Sequence, residues 1–307
     1  MVAQLIALVI GSLIGTSTPA ALTPETQALT AFVPHGQVLE AQTQKSEVPE
    51  KIKDTTGPDI SAESYVVIDV ASGSLLASKD PHVIRPVASL TKLLTALTVG
   101  QKTKPEDVVI VGSNPLKTRS SGSYMDLEEG EKIRVQDLLA GLLISSANDA
   151  AVALAEHVST TESAFSLEMN KVAQNYGLQR THAMNSTGFD NKEHFSSPYD
   201  MATLLLHAWR DPLLGIFLRA KSLNVTSVDG KIEHRLMTTD RLLGERTDVL
   251  AGKTGFTDAA GQSLAIVAEK DNAHPVIAVL LGSSDRFGDM NNLLNWTFWA
   301  YDWKESK

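Results

Sequence analysis

The apolar positions of this chain fall into blocks, and the period changes from block to block. In "MVAQLIALVIGSLIGTSTPAALTPE", residues 2–15 are almost unbroken apolar and too short for a comfortable membrane span. Small residues follow, Thr16 to Ala21. That layout reads residues 1–21 as an export signal with a cleavage site near Ala20, or as an N-terminal membrane anchor if retained. No Lys or Arg precedes the apolar run, so only the amino terminus supplies positive charge there. Residues 22–60 lose the pattern. They are rich in Pro, Thr, Gln and Glu without a sustained period, and read as a flexible tether. The folded domain is expected over 61–307.

Pattern returns at Ser64. "SYVVIDVASGSLLASKD" is two apolar runs about a Ser-Gly turn, a hairpin. "ASLTKLLTALTV", residues 88–99, reads as a greasy helix. Residues 135–157 have helical apolar spacing on both sides of a polar break at Ser145 to Asn148. Residues 162–176 and 198–210 read as further helices. Late in the chain the period shortens: "TDVLAGKTGF", "SLAIVAEK" and "PVIAVLLG" are short, turn-bounded strands, and "MNNLLNWTFWAYDW" closes as a helix. Early and late strands with helices between them predict an α/β (α+β) fold of one antiparallel sheet. Its strands come from both ends of the chain, helices cover it, and a helical subdomain is inserted. No internal repeat is visible. The aromatic end, Trp296 to Trp303, has few basic residues and is expected to pack on the sheet and not on a membrane surface.

Charge and composition narrow the chemistry. The formal net charge is −9, a poor match to a phosphate backbone, so nucleic acid is not an expected partner. Without cysteine there are no disulfides and no thiolate metal sites. The histidines, at 35, 82, 157, 182, 194, 207, 234 and 274, nowhere lie three to five residues apart, which disfavours a zinc helix.

One polar residue breaks the greasy helix. Lys92 lies one turn from Ser89, on the same face, and Pro86 suits a sharp helix entry. A serine hydroxyl needs a base, and a lysine serves as one only when neutral. Burial among Leu90, Leu93 and Leu94 would disfavour its charge. Alone, Ser-x-x-Lys is a weak signal, because a lysine snorkelling from an amphipathic helix looks the same. Two later motifs add weight: Ser146-Ala147-Asn148 at the break between two helices, and Lys253-Thr254-Gly255 on an expected strand. In this order, on these elements, the three form a recognised set, that of penicillin-binding proteins and class A β-lactamases.

From about Tyr65 to Trp303 the chain resembles the low-molecular-mass penicillin-binding proteins, the serine D-alanyl-D-alanine carboxypeptidases and endopeptidases. "RPVASLTKLLTALTV", "SSANDAAVALAEH", "MNSTGFDNKEHFSSPYDMATLL" and "GKTGFTDAAGQSLAIVA" carry the resemblance. It implies the β-lactamase/transpeptidase-like fold, an exported enzyme and a peptidoglycan stem peptide as substrate. β-Lactams would be inhibitors, and neither a metal nor an organic cofactor is required. It also implies roles: Ser89 as acylated nucleophile, Lys92 as general base, Ser146 as proton relay and Asn148 as substrate positioner. Lys253 and Thr254 of the Lys-Thr-Gly255 triplet would bind the terminal carboxylate. The backbone N–H groups of Ser89 and Phe256 would form the oxyanion hole. Arg286 in "SSDRF" resembles a further carboxylate-binding arginine, with looser spacing. In "NSTGFDN", Asn185 and Gly188 are expected to fix a turn.

Two alternatives remain open at this point. A class A-like β-lactamase needs a deacylating glutamate with Glu-x-x-x-Asn spacing, and the nearest candidate, Glu193, has Ser197 in the fifth place. A catalytically dead cell-wall-binding module would have no need of the intact Ser89, Lys92, Ser146, Asn148 and Lys253. Within the family, a chain stopping at Lys307, about fifty residues after the Lys-Thr-Gly strand, resembles the endopeptidase-like members, which cleave peptide cross-links.

Overall fold

The computed structural model describes residues 48–303 apart from 121 and 272. The expected export segment therefore lies outside the described residues, as does most of the expected tether. The central sheet is antiparallel and five-stranded. Its strands are β1 (Ser64–Asp69), β2 (Leu75–Lys79), β3 (Val249–Thr257), β4 (Gly261–Lys270) and β5 (His274–Ser283), in the order β2-β1-β5-β4-β3. Early and late strands meet where β1 pairs with β5, Val66 facing Val279 and Ile68 facing Ile277. β-Branched pairs of this kind suit a pleated surface packed on both sides.

Seven helices do most of the covering: α1 (Thr91–Gly100), α2 (Val135–Ile144), α3 (Asn148–Ser159), α4 (Glu162–Asn175), α5 (Pro198–Arg210), α6 (Leu214–Arg219) and α7 (Arg286–Ala300). On one sheet face, Tyr65, Val67, Ile266 and Leu280 pack against Met290, Leu293 and Leu294 of α7. The intervening residues Val66, Ile68, Val267 and Val279 are equally buried on the other face, where α5 lies against β1 and β5. With both faces covered, β1 is buried at every position, and its sequence shows an apolar run instead of alternation. Helix α1 is buried from Thr91 to Val99 and contacts α2, α3, α4 and α5. A helix apolar on all sides is a core helix, and this one carries Lys92 into the centre of the helical part.

Helix starts follow local chemistry. Ser197 caps α5 by accepting from the Asp200 N–H, with Pro198 at the first helical position, and Thr161 caps α4 through the Ala164 N–H. The sequence places the last helix at 290–303. It spans 286–300, because the Asp285 carboxylate accepts from the Gly288 N–H and starts it a turn before the apolar run. Its expected end, Tyr301–Asp302, is instead a short strand paired with Glu50–Lys51. The tether boundary at 60 also shifts: Ile52 N–H donates to the Ala300 carbonyl at 2.8 Å, and Trp296 Nε1 donates to the Thr56 carbonyl at 2.9 Å. These are largely backbone contacts, which leave no trace in composition. The expected packing of the aromatic end is seen in Trp303, whose Nε1 donates to Asp69 at 2.8 Å. Two small antiparallel pairs have no counterpart in the sequence reading, 108–110 with 132–134 and 222–226 with 233–237. Each is half exposed and too short to set a period.

Candidate active site

Ser89 lies in a 3-10 turn, Ala88–Leu90, that leads directly into α1. Ala88, just before it, has φ of 47°. A non-glycine residue at positive φ is costly and persists only where the surroundings impose it. Here two glycines press on the turn. A Cβ at Gly188, itself at φ 88°, would collide with the Ala88 carbonyl. A Cβ at Gly255 would come within 3.0 Å of the Val87 carbonyl and 3.2 Å of Ser89 N. Strand β3 and the 185–189 turn thus close against the backbone at Ser89. The turn is fixed as expected, since Asn185 Oδ1 accepts from the N–H groups of Gly188 and Phe189.

Lys92 is fully buried. Its Nζ lies 2.8 Å from Ser89 Oγ, 2.7 Å from Asn148 Oδ1 and 2.8 Å from the Thr187 carbonyl. Burial, and then the nearby Lys253, hold its pKa well below the ordinary lysine value, against the opposing pull of Asp149 and Glu162. The contacts match a neutral amine. Such a group has two N–H donors and one lone pair. Two neighbours are oxygens that only accept, and the third is a hydroxyl able to donate. In the neutral form that the lowered pKa favours, the lone pair would face the Ser89 hydroxyl, whereas the charged form would donate to all three oxygens.

The second motif sits at the α2–α3 break. Ser146 has φ of 57°, and Ala147 N–H donates to the Gly141 carbonyl at 3.0 Å. Asn148, expected in the break, is the first residue of α3. Buried Asp149 orders the adjoining loop, its carboxylate accepting from the N–H groups of Met125 and Leu127. The third motif lies on β3. Lys253 is 1% exposed, and its Nζ donates to Ser146 Oγ at 2.7 Å and to the Thr254 carbonyl at 3.0 Å. Burial, then Arg286, bring its pKa down to about 7, with Asp240 acting in the opposite direction. Thr254 Oγ1 meets Thr239 Oγ1 at 2.6 Å. Arg286 donates from Nη1 to the Gly255 carbonyl at 2.7 Å, which brings the loosely spaced arginine to the same edge.

Above the two buried lysines opens one cleft of about 580 Å³, whose walls include Ser89, Ser146, Asn148, Thr254, Phe256 and Arg286. The carboxylates lining it are Asp190 and Asp258, and Asp190 is bonded to Thr257 Oγ1 at 2.6 Å. Glu193 is exposed and not part of the lining. Among the described residues no three His, Asp or Glu converge as metal ligands. Several contributors were missed in the sequence. Thr187 acts through its carbonyl, which no motif marks. Asp240 is buried, with Oδ1 accepting from Leu242 N–H at 3.0 Å and Oδ2 unpartnered. Burial pushes its pKa up to about 6. Thr239 partners Thr254 from a loop that carries no pattern.

A serine beside a buried lysine, a second serine bonded to a second lysine, and a strand edge against the first serine sit together on a transpeptidase-like fold. The comparisons agree. Solved structures with this fold include the Streptomyces K15 DD-transpeptidase, at TM-score 0.74 and 26% identity over 80% of this chain and 99% of that one. A D-alanyl-D-alanine carboxypeptidase from Mycobacterium tuberculosis matches at TM-score 0.74 and 25% identity, over 81% and 95%. The family model for D-alanyl-D-alanine carboxypeptidase matches residues 51–285. The chain belongs to that family. D-alanyl-D-alanine carboxypeptidase DacA of Haemophilus influenzae is 32% identical over 79% of this chain, which spans 63% of that relative's length. A D-alanyl-D-alanine endopeptidase of Escherichia coli is 28% identical over 78% of both chains.

Proposed function

We propose that this chain is a serine D-alanyl-D-alanine carboxypeptidase or endopeptidase that trims peptidoglycan stem peptides, is acylated by penicillins, and works outside the cytoplasm after export, with its N-terminal segment cleaved or kept as a membrane anchor. The observation that carries the reading is the fully buried Lys92 amine, its pKa held well below the ordinary lysine value, 2.8 Å from Ser89 Oγ.

The steps follow from the positions. Lys92 takes the Ser89 proton as Oγ attacks the carbonyl between the two D-alanines. The N–H groups of Ser89 and Phe256 receive the developing oxyanion, each worth about 3 kcal/mol in the transition state. Ser146, bonded to Lys253, passes a proton to the leaving amine. Asn148 holds the substrate amide, while Lys253, Thr254 and Arg286 receive the terminal carboxylate. Water then hydrolyses the ester on Ser89. The β-lactamase alternative requires a carboxylate beside that ester. Glu193 on the surface does not provide one, which supports penicillin as a slowly released inhibitor. A wall-binding module without chemistry would not need a buried, neutral lysine at Ser89.

The test is the intact mass of the protein after addition of benzylpenicillin, followed over time, with Ser89→Ala alongside. A persistent one-to-one adduct, absent from the variant, is expected. Rapid loss of drug without an adduct would favour the β-lactamase, and neither adduct nor drug loss would overturn the acyl-enzyme reading. Comparing hydrolysis of a linear pentapeptide with that of a cross-linked dimer separates carboxypeptidase from endopeptidase.

A further inference from the structure

Away from the three motifs, one buried ion pair touches the wall of the cleft. His234, on the 222–226/233–237 hairpin, and Glu131, before the strand 132–134, are buried at 1% and 0% side-chain exposure. His234 Nε2 lies 2.7 Å from Glu131 Oε1, and Nδ1 lies 2.7 Å from the Met125 carbonyl. A neutral imidazole has one N–H and one lone pair. The Met125 carbonyl only accepts, and so does an ionised Glu131, whose Oε2 already accepts from the Glu128 N–H at 3.0 Å. Both contacts are satisfied together by the imidazolium.

Met125 belongs to the segment 122–127, and Gly122 and Ser123 of that segment line the cleft. The segment is tied to the reacting groups at one end, where Asn148 N–H donates to the Ser123 carbonyl at 2.8 Å. It is tied to α3 in the middle, where Asp149 receives the Met125 and Leu127 N–H groups. The Met125 side chain also packs against Gly141 of α2, where a Cβ would collide with it. His234 supplies the remaining hold on the Met125 peptide group, through its carbonyl.

We propose that His234 is a positioning residue for the acylation reaction: its imidazolium ring grips the Met125 carbonyl and the Glu131 carboxylate at once, and so fixes the 122–127 wall against Asn148. The proposal rests on the function proposed above. The groups facing the ring are Glu131 from its own turn, Asp149 from α3 and Asp137 from α2, together with the Met125 carbonyl. Burial alone lowers the ring's pKa, but the bond and charge of Glu131, the Met125 carbonyl and Asp149 outweigh it, so the net shift is upward. The clamp is therefore closed at low pH and stays closed to higher pH than an ordinary histidine would hold it. As pH rises through the folded pKa the ring loses a donor, one of its two oxygens faces a lone pair, and the wall loosens.

The test uses the full chain, with NMR titration of the His234 ring and of the 122–127 amides beside the benzylpenicillin acylation rate at each pH. The amides are expected to shift in step with the ring, and acylation to fall by about tenfold over that step, the scale of one lost charge-assisted hydrogen bond. In Glu131→Gln, the ring titration, the amide shifts and this part of the acylation profile all move together to lower pH. A titration at Lys253, which does not contact the pair, stays in place. Amides that ignore the ring's titration would overturn the proposal, as would an acylation profile unmoved in a variant whose ring titration has moved. If Glu131→Gln does not fold, the wild-type titration decides alone. Absence of acylation at every pH would overturn the catalytic reading instead, while the amide response still tests the clamp.

Discussion

Two buried lysines lie behind the cleft wall, each bonded to a serine that lines it, and because both are equally buried the difference between them comes from their neighbours. Lys92 is hemmed in by the Ser89 hydroxyl and two fixed oxygens, and its pKa lies well below the usual lysine range. Lys253 is as deeply buried, yet it has Asp240 on one side and donates to Ser146 and its own strand, and its pKa sits at about 7. Lys92 is thus driven strongly toward its neutral form, while Lys253, at about 7, still carries part of its charge near neutral pH. The function proposed above uses the first as base and the second as a cation for the carboxylate.

The sharpest way to break that comparison is to make each position permanently cationic. Arginine cannot deprotonate in a protein. Lys92→Arg is expected to lower benzylpenicillin acylation by about 10³-fold or more, the scale of losing a general base. Lys253→Arg keeps the charge and is expected to cost only about tenfold, through misplaced hydrogen bonds. Equal losses in the two variants would sink the division of labour. Intact-mass acylation rates decide it, with far-UV circular dichroism to check folding.

Next in size is an exchange beside the base. Asn148→Asp puts an anion at the oxygen that now accepts from Lys92, so it favours the ammonium form and raises the lysine's pKa. Acylation at pH 7 is expected to fall by about 10²-fold, within the usual range for general-base catalysis, and to recover as pH rises. A loss independent of pH would mean that Asn148 acts on the substrate alone.

How much of this was legible in the sequence differs between the two lysines. Lys92 interrupts an apolar helix one turn after a serine, so the helix spacing put Ser89 on its face, but that pattern was weak until the two later motifs joined it. Lys253 needed the motif set, since a lysine on a strand next to threonine and glycine has no unusual pattern. The sheet was readable because β1, β4 and β5 are buried on both faces and so form unbroken apolar runs. The two small half-exposed strand pairs and the Glu50–Lys51 pairing were not, because backbone hydrogen bonds make no demand on side chains. The same reason hides the Thr187 carbonyl. His234 and Asp240 were hidden differently: each is one polar residue in a region of ordinary composition, and only the fold brings Glu131 or Lys253 to it.

A backbone test addresses the ground the two lysines share. Gly188 lies at φ 88° with the Ala88 carbonyl where a Cβ would go. Gly188→Ala is expected to push the turn off Ser89, lowering acylation and destabilising the fold by about 2 kcal/mol through strain at positive φ. Because the Thr187 carbonyl moves with it, the Lys92 side of the cleft should suffer more than the Lys253 side. Catalytic loss should then exceed any loss of ground-state peptide affinity.

The smallest effect refines the charge on Lys253. Asp240 raises the Lys253 pKa, so Asp240→Asn is expected to shift the alkaline limb of the acylation profile, where Lys253 discharges, to lower pH. Its own titration gives an independent sign. An acid whose folded pKa is about 6 binds more protons folded than unfolded between about 4 and 6, so its contribution to stability is present below that window and lost as pH rises through it. Asp240→Asn therefore costs less stability at pH 8 than at pH 4, measured as the shift in Tm against wild type at each pH. An unchanged alkaline limb together with the expected Tm pattern would leave Asp240 a buried acid that does not govern Lys253, and would assign the lysine's intermediate pKa to its burial and Arg286 alone.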